Sequence, residues 1–281
     1  MNRRILEQYP LDMEGITKVE ILGYGGDVFV IAGETSPEFL AEIQGEIRYR
    51  LARKGNTLKI IAISPGFLPA TGTIRFQVKI PSGLDVKIVG RSAPIRLKGR
   101  FSSVTASSTE GDMRLENASG KFILSSSKGD IVMSKVEGQT TASTAKGDIL
   151  ASELIGDHCL ASPSGTLTLL NGLGRFRLAS EYSLNASEIT LTPGSENYFT
   201  TGGPLRLTNL FPSSGCMLLA NAPKDRIRSD LPNFRIIEQG NHLKARAIGS
   251  NPSRLHAHSK EEIHITSTSH SSFGETLCAS A

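Results

Sequence analysis

Apolar and polar residues alternate along most of this chain, and between Ser102 and Tyr182 the alternation is locked to glycine. Gly111, Gly120, Gly129, Gly138, Gly147, Gly156, Gly165 and Gly174 recur at every ninth position. Within each nonad the third and fifth positions are mostly apolar, as in Met113 and Leu115, Phe122 and Leu124, Ile131 and Met133. That spacing has the period of a half-buried strand. Alternate nonads resemble one another (Gly-Asp-Met, Gly-Asp-Ile, Gly-Asp-Ile, Gly-Thr-Leu), so the full repeat is a pair of nonads. The register reaches back through Val86 and Ile88, Ile95 and Leu97, Val104 and Ala106, giving eleven nonads from Leu84 to Tyr182.

A lone pair of nonads buries too little apolar surface to offset its ordering entropy, so the units must stack. If each nonad supplies a strand of about five residues and a glycine corner, a pair of nonads makes one coil with two faces, and successive coils pair in parallel. The expected core rows are Met113, Ile131, Ile149 and Leu167 facing Phe122, Thr140, His158 and Phe176. Beside them Leu115, Met133, Ala151 and Leu169 face Leu124, Ala142, Leu160 and Leu178. Ser126, Thr144, Ser162 and Ser180, at the seventh position, are expected on the outside. A triangular hexapeptide coil and a β-sandwich are the alternatives, and the nonad rhythm favours two faces.

Elsewhere the same reading applies with less regularity. Val19 to Leu22 and Asp27 to Ile31 predict an opening hairpin or a first coil. Ser36 to Glu42, with a capping serine and proline at the first helical position, predicts a short helical turn. Glu46 to Leu51 and Thr57 to Ile63 flank the turn Lys54-Gly55-Asn56, and Thr73 to Ile80 alternates strictly. After Tyr182 the register slips by about four residues, which predicts an insertion at Ser183 to Ala186. It then resumes with Ile189 and Leu191, Tyr198 and Thr200, Leu205 and Leu207, Met217 and Leu219 inward. Phe234 to Ile237, His242 to Ile248 and Glu262 to Thr266 predict further strands. The expected organisation is an N-terminal β-region over 1–83, packed on or continuous with the coils, a β-solenoid over 84–266 and a disordered tail over 267–281.

Composition narrows the function more than the fold. The 281 residues carry 31 basic and 27 acidic side chains, a formal charge of +4, and the basic residues are scattered. That pattern is no footprint for nucleic acid. Met1 to Ile16 has no apolar core of the kind a signal peptide needs, and no run is long enough to span a bilayer. Cys159, Cys216 and Cys278 are odd in number and far apart, which fits a reducing compartment, so a cytoplasmic location is expected.

The run Ile80-Pro81-Ser82-Gly83-Leu84, followed by Val86-Lys87-Ile88 and the Gly-Asp-Ile repeats among Ser/Thr-rich strands, resembles the bacterial "putative adhesin" domain family of unknown function. The resemblance extends from the paired strands at Val19 and Val28 to about Leu219. It implies a right-handed, β-helix-like stack of coils and brings no catalytic residues with it.

Three groups of side chains invite a chemical reading. Asp112, Asp130, Asp148 and Asp157 suggest calcium-binding nonapeptide rolls, but those rolls need paired glycines at each corner, and here one glycine directly precedes the aspartate. Corner aspartates in rows with Lys128 and Lys146 are the expectation. His256 and His258 share one face of a strand and His264 falls on a nearby one, which is a candidate zinc or copper site without an acidic or thiol partner fixed by spacing. Exposed strand histidines are the expectation there. His158 and Cys159 are neighbours on a strand and point to opposite faces, which argues against a nucleophile pair. Carbohydrate-active enzymes on β-helices line one face with carboxylates and aromatic subsites, whereas this chain has no tryptophan and five tyrosines. The expected function is therefore a non-catalytic structural or interaction scaffold without a cofactor, partnered by itself or another protein. A glycan or cell-envelope ligand is the alternative and a carbohydrate-active enzyme the third reading.

Overall fold

The computed structural model describes residues 4–23, 25–33, 35–63, 72–211, 214–240 and 242–267. The predicted tail lies outside them from residue 268 onward. The fold is all-β, built of stacked coils in the manner of a β-solenoid, and the described residues contain no helix. The chain divides into two compact units, Met1–Gly147 and Asp148–Ala281.

The first unit contains β1 (Arg4–Pro10), β2 (Lys18–Gly23), β3 (Val28–Ala32), β4 (Glu38–Gly45), β5 (Arg48–Lys54), β6 (Thr57–Ile63), β7 (Gly72–Ile80), β8 (Asp85–Gly90), β9 (Ile95–Ser108), β10 (Met113–Ser126) and β11 (Ile131–Thr144). Met113 pairs in parallel with Ile95 and Ile131, and Phe122 with Val104 and Thr140, which is the two-nonad register. The strands, however, are not short pieces separated by glycine corners. Each of β10 and β11 runs for 14 residues through one bend without leaving the ladder. The bend is made by one residue of left-handed backbone, Asn117 (φ 48°) or Lys135 (φ 55°), followed three positions on by Gly120 (φ 138°) or Gly138 (φ 120°). Between them a single inward residue, Ala118 or Val136, gives the coil a short third side.

The glycines of the two nonad types do different work. Gly120 and Gly138 sit in the bend, while Gly111, Gly129 and Gly147 sit in the sharp turn between long strands, with φ outside the left-handed region. What they share is close approach. A Cβ on Gly129 would stand 2.3 Å from the Gly111 carbonyl oxygen, and one on Gly138 would stand 2.2 Å from that of Gly120. The coils can therefore stack in register only where these positions lack a side chain.

The seventh-position hydroxyls turn inward instead of outward. Ser126 and Thr144 are buried. The Thr144 hydroxyl accepts from the Gly147 amide at 3.1 Å and donates to the Gly129 carbonyl one coil earlier at 2.7 Å. Ser126 accepts from Gly129 and Ser108 from Gly111, each at 2.8 Å. Each hydroxyl closes its own turn, and Thr144 also bonds that turn to the previous coil. This satisfies buried backbone groups that water cannot reach.

In its early strands the first unit is stacked out of sequence order. β2 lies between β6 and β8, and β3 between β7 and β9, so the coil β2–β3 is sandwiched by coils that come later in the chain. Hence β2 and β3 form a first coil and not a hairpin. The outermost coil, β6–β7, is covered by antiparallel strands: β5 pairs β6, β4 pairs β7 and β1 pairs β4. Residues 36–42 accordingly enter strand β4 and make no helical turn. Phe39, Ala41 and Ile43 are buried at period two, and burying that face outweighs the local capping signal.

The second unit contains β12 (Ile149–Ser162), β13 (Thr166–Ser180), β14 (Ser183–Leu191), β15 (Glu196–Thr201), β16 (Leu205–Phe211), β17 (Cys216–Asn221), β18 (Ile227–Asp230), β19 (Arg235–Glu238), β20 (His242–Ala247), β21 (Ser253–Ser259) and β22 (Ile263–Ser267). Ile149 pairs with Leu167 and His158 with Phe176, and left-handed Glu153, Asn171, Glu188 and Asn209 mark the bend. The register then changes. Leu167 pairs with Leu184, one position short of the coil repeat, and Leu178 pairs with Phe199, three positions beyond it. The extra length lies at the turn Thr192–Ser195, not at Ser183 to Ala186, which belong to β14.

That turn also shifts the phase of the later strands. Asn197, Phe199 and Thr201 point inward, and Tyr198 and Thr200 outward; Cys216, Leu218 and Ala220 are buried in place of Met217 and Leu219. Leu205 and Leu207 are inward as expected. Asn197 is fully buried and fully bonded. Its Oδ1 accepts from the Phe176 amide at 2.8 Å, and its Nδ2 donates to Ser195 Oγ at 2.9 Å and to the Arg254 carbonyl at 3.2 Å. The last strands of the second unit repeat the device of the first unit. β21 lies between β15 and β17, and β22 between β16 and β18, so the last coil in sequence fills a slot inside the stack. The coil β17–β18 is covered on the β17 side by β20 and then β19, both antiparallel.

Candidate interaction face

The outward positions of β13, β15, β21, β17 and β20 make a sheet face in the second unit that carries a dense side-chain network. Strand alternation leaves the even-numbered residues of β15 and β21 outside once Asn197 and Phe199 are buried. In register across the strands stand Cys159, Arg177, Tyr198, His256, Leu219 and Lys244. The Arg177 guanidinium lies 5.6 Å from the Tyr198 ring centre, and the His256 ring stacks on Tyr198 at 4.9 Å and 11°. Both ring faces of Tyr198 are thus occupied, and the row presents edges.

A second row is held by charge. Arg175 pairs with Asp157 at 2.7 Å and Arg254 with Glu196 at 3.1 Å, while the Tyr198 hydroxyl donates to Glu196 at 2.9 Å. That hydroxyl, then Arg254, holds the Glu196 carboxyl below its ordinary range, and Glu196 in turn pushes the Tyr198 phenol up. Each exposed pair contributes about 0 to 1 kcal/mol, so the network orients side chains more than it stabilises the fold. After the two pairs are matched, Arg177, Lys244 and Arg246 are left as cations on this face.

The candidate histidines fall in two places. His256 and His258 lie on this face, with His242 two strands beyond His258 across Asn221. His264 lies on β22, in a different ladder, between Arg206 and Arg228. Among the described residues no group of three or more His, Cys, Asp or Glu could hold a metal ion. His242 is not among the sequence candidates; its signal is the outward alternation of His242, Lys244 and Arg246.

The corner aspartates bond to backbone. Asp112 Oδ1 accepts from the Asp130 amide at 2.9 Å, and Asp148 Oδ1 from the Thr166 amide at 2.7 Å, each in the next coil. Lys128 pairs with Glu110 at 2.7 Å, in its own column and not with the aspartates. His158 is 2 % exposed, stacks on Phe176 at 5.7 Å and 17°, and is pushed down to about 4 by burial. Cys159 is on the outside, so the two make no reactive pair. A shallow hollow beside β1 and β4 is lined by Gln8, Ser36, Glu38 and Lys79, and its two charged groups pair with each other at 2.9 Å.

No family model matches the chain, and no curated protein matches it. The solved structures similar to it include three bacterial proteins. A protein described as a putative cell adhesion protein from Clostridium sporogenes is 10% identical over 95% of this chain and 100% of its own, with a TM-score of 0.24. A putative adhesin from Parabacteroides distasonis is 9% identical over 90% and 97%, TM-score 0.32, and one from Parabacteroides merdae 11% over 74% and 91%, TM-score 0.31. At these identities and scores the likeness carries no argument about ligand or activity.

Proposed function

We propose that the chain is a non-catalytic interaction scaffold that binds a partner on the outward faces of its parallel sheets. The observation that carries this reading is the Arg177–Tyr198–His256 row with its flanking ion pairs, a solvent-facing and cation-rich surface on a parallel sheet. The titratable groups that could serve catalysis are buried or committed to one another: His158 stacks on Phe176, His256 stacks on Tyr198, and Glu196 is paired with Arg254 and the Tyr198 hydroxyl, while His264 stands in a separate ladder. The test is a combined glycan and protein array probed with the purified chain and with Tyr198→Ser/His256→Ser. A ligand bound by the chain and lost by the variant supports the reading; turnover of a polysaccharide by the chain overturns it.

A second reading, self-association, has its own support. The antiparallel strands that cover the coil ends leave exposed apolar side chains on edge strands, Ile5, Leu6 and Tyr9 on β1 and Ile236 and Ile237 on β19. The route would be edge pairing through these strands. Light scattering across concentration tests it, and a mass that stays monomeric at high concentration removes it. Free Cys159 and Cys216 suit the reducing, cytoplasmic setting expected from the sequence.

A further inference from the structure

Arg206 on β16, His264 on β22 and Arg228 on β18 are partners across three adjacent parallel strands, and all three side chains are exposed. Neighbouring strands lie about 4.8 Å apart, so three basic groups share a line of roughly 10 Å. Like charges opposite one another on a sheet are unfavourable. Some other rows give a cation an acid one rung away, as Arg175 has Asp157 and Lys128 has Glu110. This row has no carboxylate: it continues through Asn185, Thr168 and Leu150, and among the described residues Arg206 and Arg228 make no ion pair. The closest carboxylates along these strands, Glu262 and Asp230, stand two positions away in the flanking rows.

We infer that this row binds an acidic polysaccharide, an extended hydroxyl-rich chain bearing carboxylate or sulfate groups. Guanidinium groups pair with such oxyanions through two parallel hydrogen bonds. The uncharged polar groups around the row are hydroxyls and an amide, Thr168, Asn185, Ser187, Thr208 and Thr266, which suit sugar hydroxyls. Single-stranded nucleic acid is held by a series of stacking aromatics, and these outward rows contain no Phe, Tyr or Trp, His264 being their single ring. A peptide that extends a sheet pairs its main chain along one edge, whereas this row crosses three strands.

The inference rests on the interaction-scaffold reading and is tested apart from it. Binding of the full chain to polygalacturonate, heparin, neutral dextran and single-stranded DNA is measured by titration calorimetry at fixed salt. Arg206→Gln/Arg228→Gln is compared with Lys98→Gln/Lys121→Gln, which removes the same charge from exposed positions in the first unit. One of the two acidic polysaccharides should bind, dextran should not, and the arginine double variant should weaken binding about tenfold, as two exposed pairs allow, while the lysine variant leaves it unchanged. The inference is overturned if neither acidic polysaccharide binds, if the lysine variant weakens binding as much, or if DNA binds as tightly. Binding that survives the arginine variant but is lost in Tyr198→Ser/His256→Ser removes this row and keeps the scaffold.

Discussion

Acid should loosen this protein through one buried imidazole. His158 is held near a pKa of about 4 by burial, against 6.5 for an ordinary imidazole. Its protonation is disfavoured in the fold and free in the unfolded chain. As pH falls below 6.5 the unfolded state gains a proton that the folded state refuses, so stability drops until the folded group also titrates near 4. Across that whole interval the loss is about 3 kcal/mol, and between pH 8 and pH 5 about 2 kcal/mol of it occurs. Denaturant unfolding at the two pH values measures this, with His158→Phe as the reference protein. Phenylalanine matches the ring and already occupies the next rung at Phe176. The contributions of all other groups are common to both proteins and cancel in the difference. The wild-type chain should lose about 2 kcal/mol more than the variant. Equal losses, or an NMR titration of His158 near 6.5, would refute the argument.

Three further substitutions probe the coil devices. Thr144→Val keeps the shape and leaves the Gly147 amide and Gly129 carbonyl without the hydroxyl, which should cost about 2 to 4 kcal/mol by denaturant midpoint, while Thr144→Ser should cost about 1 kcal/mol or less. Asn197→Leu removes the partner of the buried Phe176 amide and should destabilise by about 2 to 4 kcal/mol, with faster hydrogen exchange at Phe176 as the local readout. Glu188→Asn places a residue that tolerates left-handed backbone where φ is 57° and should raise stability by about 0.5 to 1 kcal/mol; a loss would show that the glutamate side chain matters more than its backbone.

The glycine rhythm makes the two-nonad register and most of the core legible, because period two and period nine are both written in single residues. Met113, Ile131, Phe122 and Leu124 need nothing beyond that pattern. The features it hides are those that depend on the neighbouring coil. Ser126 and Thr144 are polar, and only the turn amides of Gly129 and Gly147, which donate to their hydroxyls, explain why they turn inward. Tyr198 reads as inward when the register slip is set at Ser183; setting it at Thr192–Ser195 exchanges the two faces of β15. On the interaction face each charged residue is visible by itself, but Arg177, Tyr198 and His256 come from β13, β15 and β21, and no repeat links them.

The intercalated coil β21–β22 separates this protein from an ordinary repeat array. In such an array each unit rests on the one made before it, so assembly can follow synthesis and shortening the chain removes only the last layer. Here β17 and β18 meet the body of the second unit through a layer that comes later in the chain than β19 and β20. A chain released before Ser253 would carry a gap in its interior and not a shorter end. Strands β21 and β22 act as a keystone: the outer courses are laid first and bear no load until it is set.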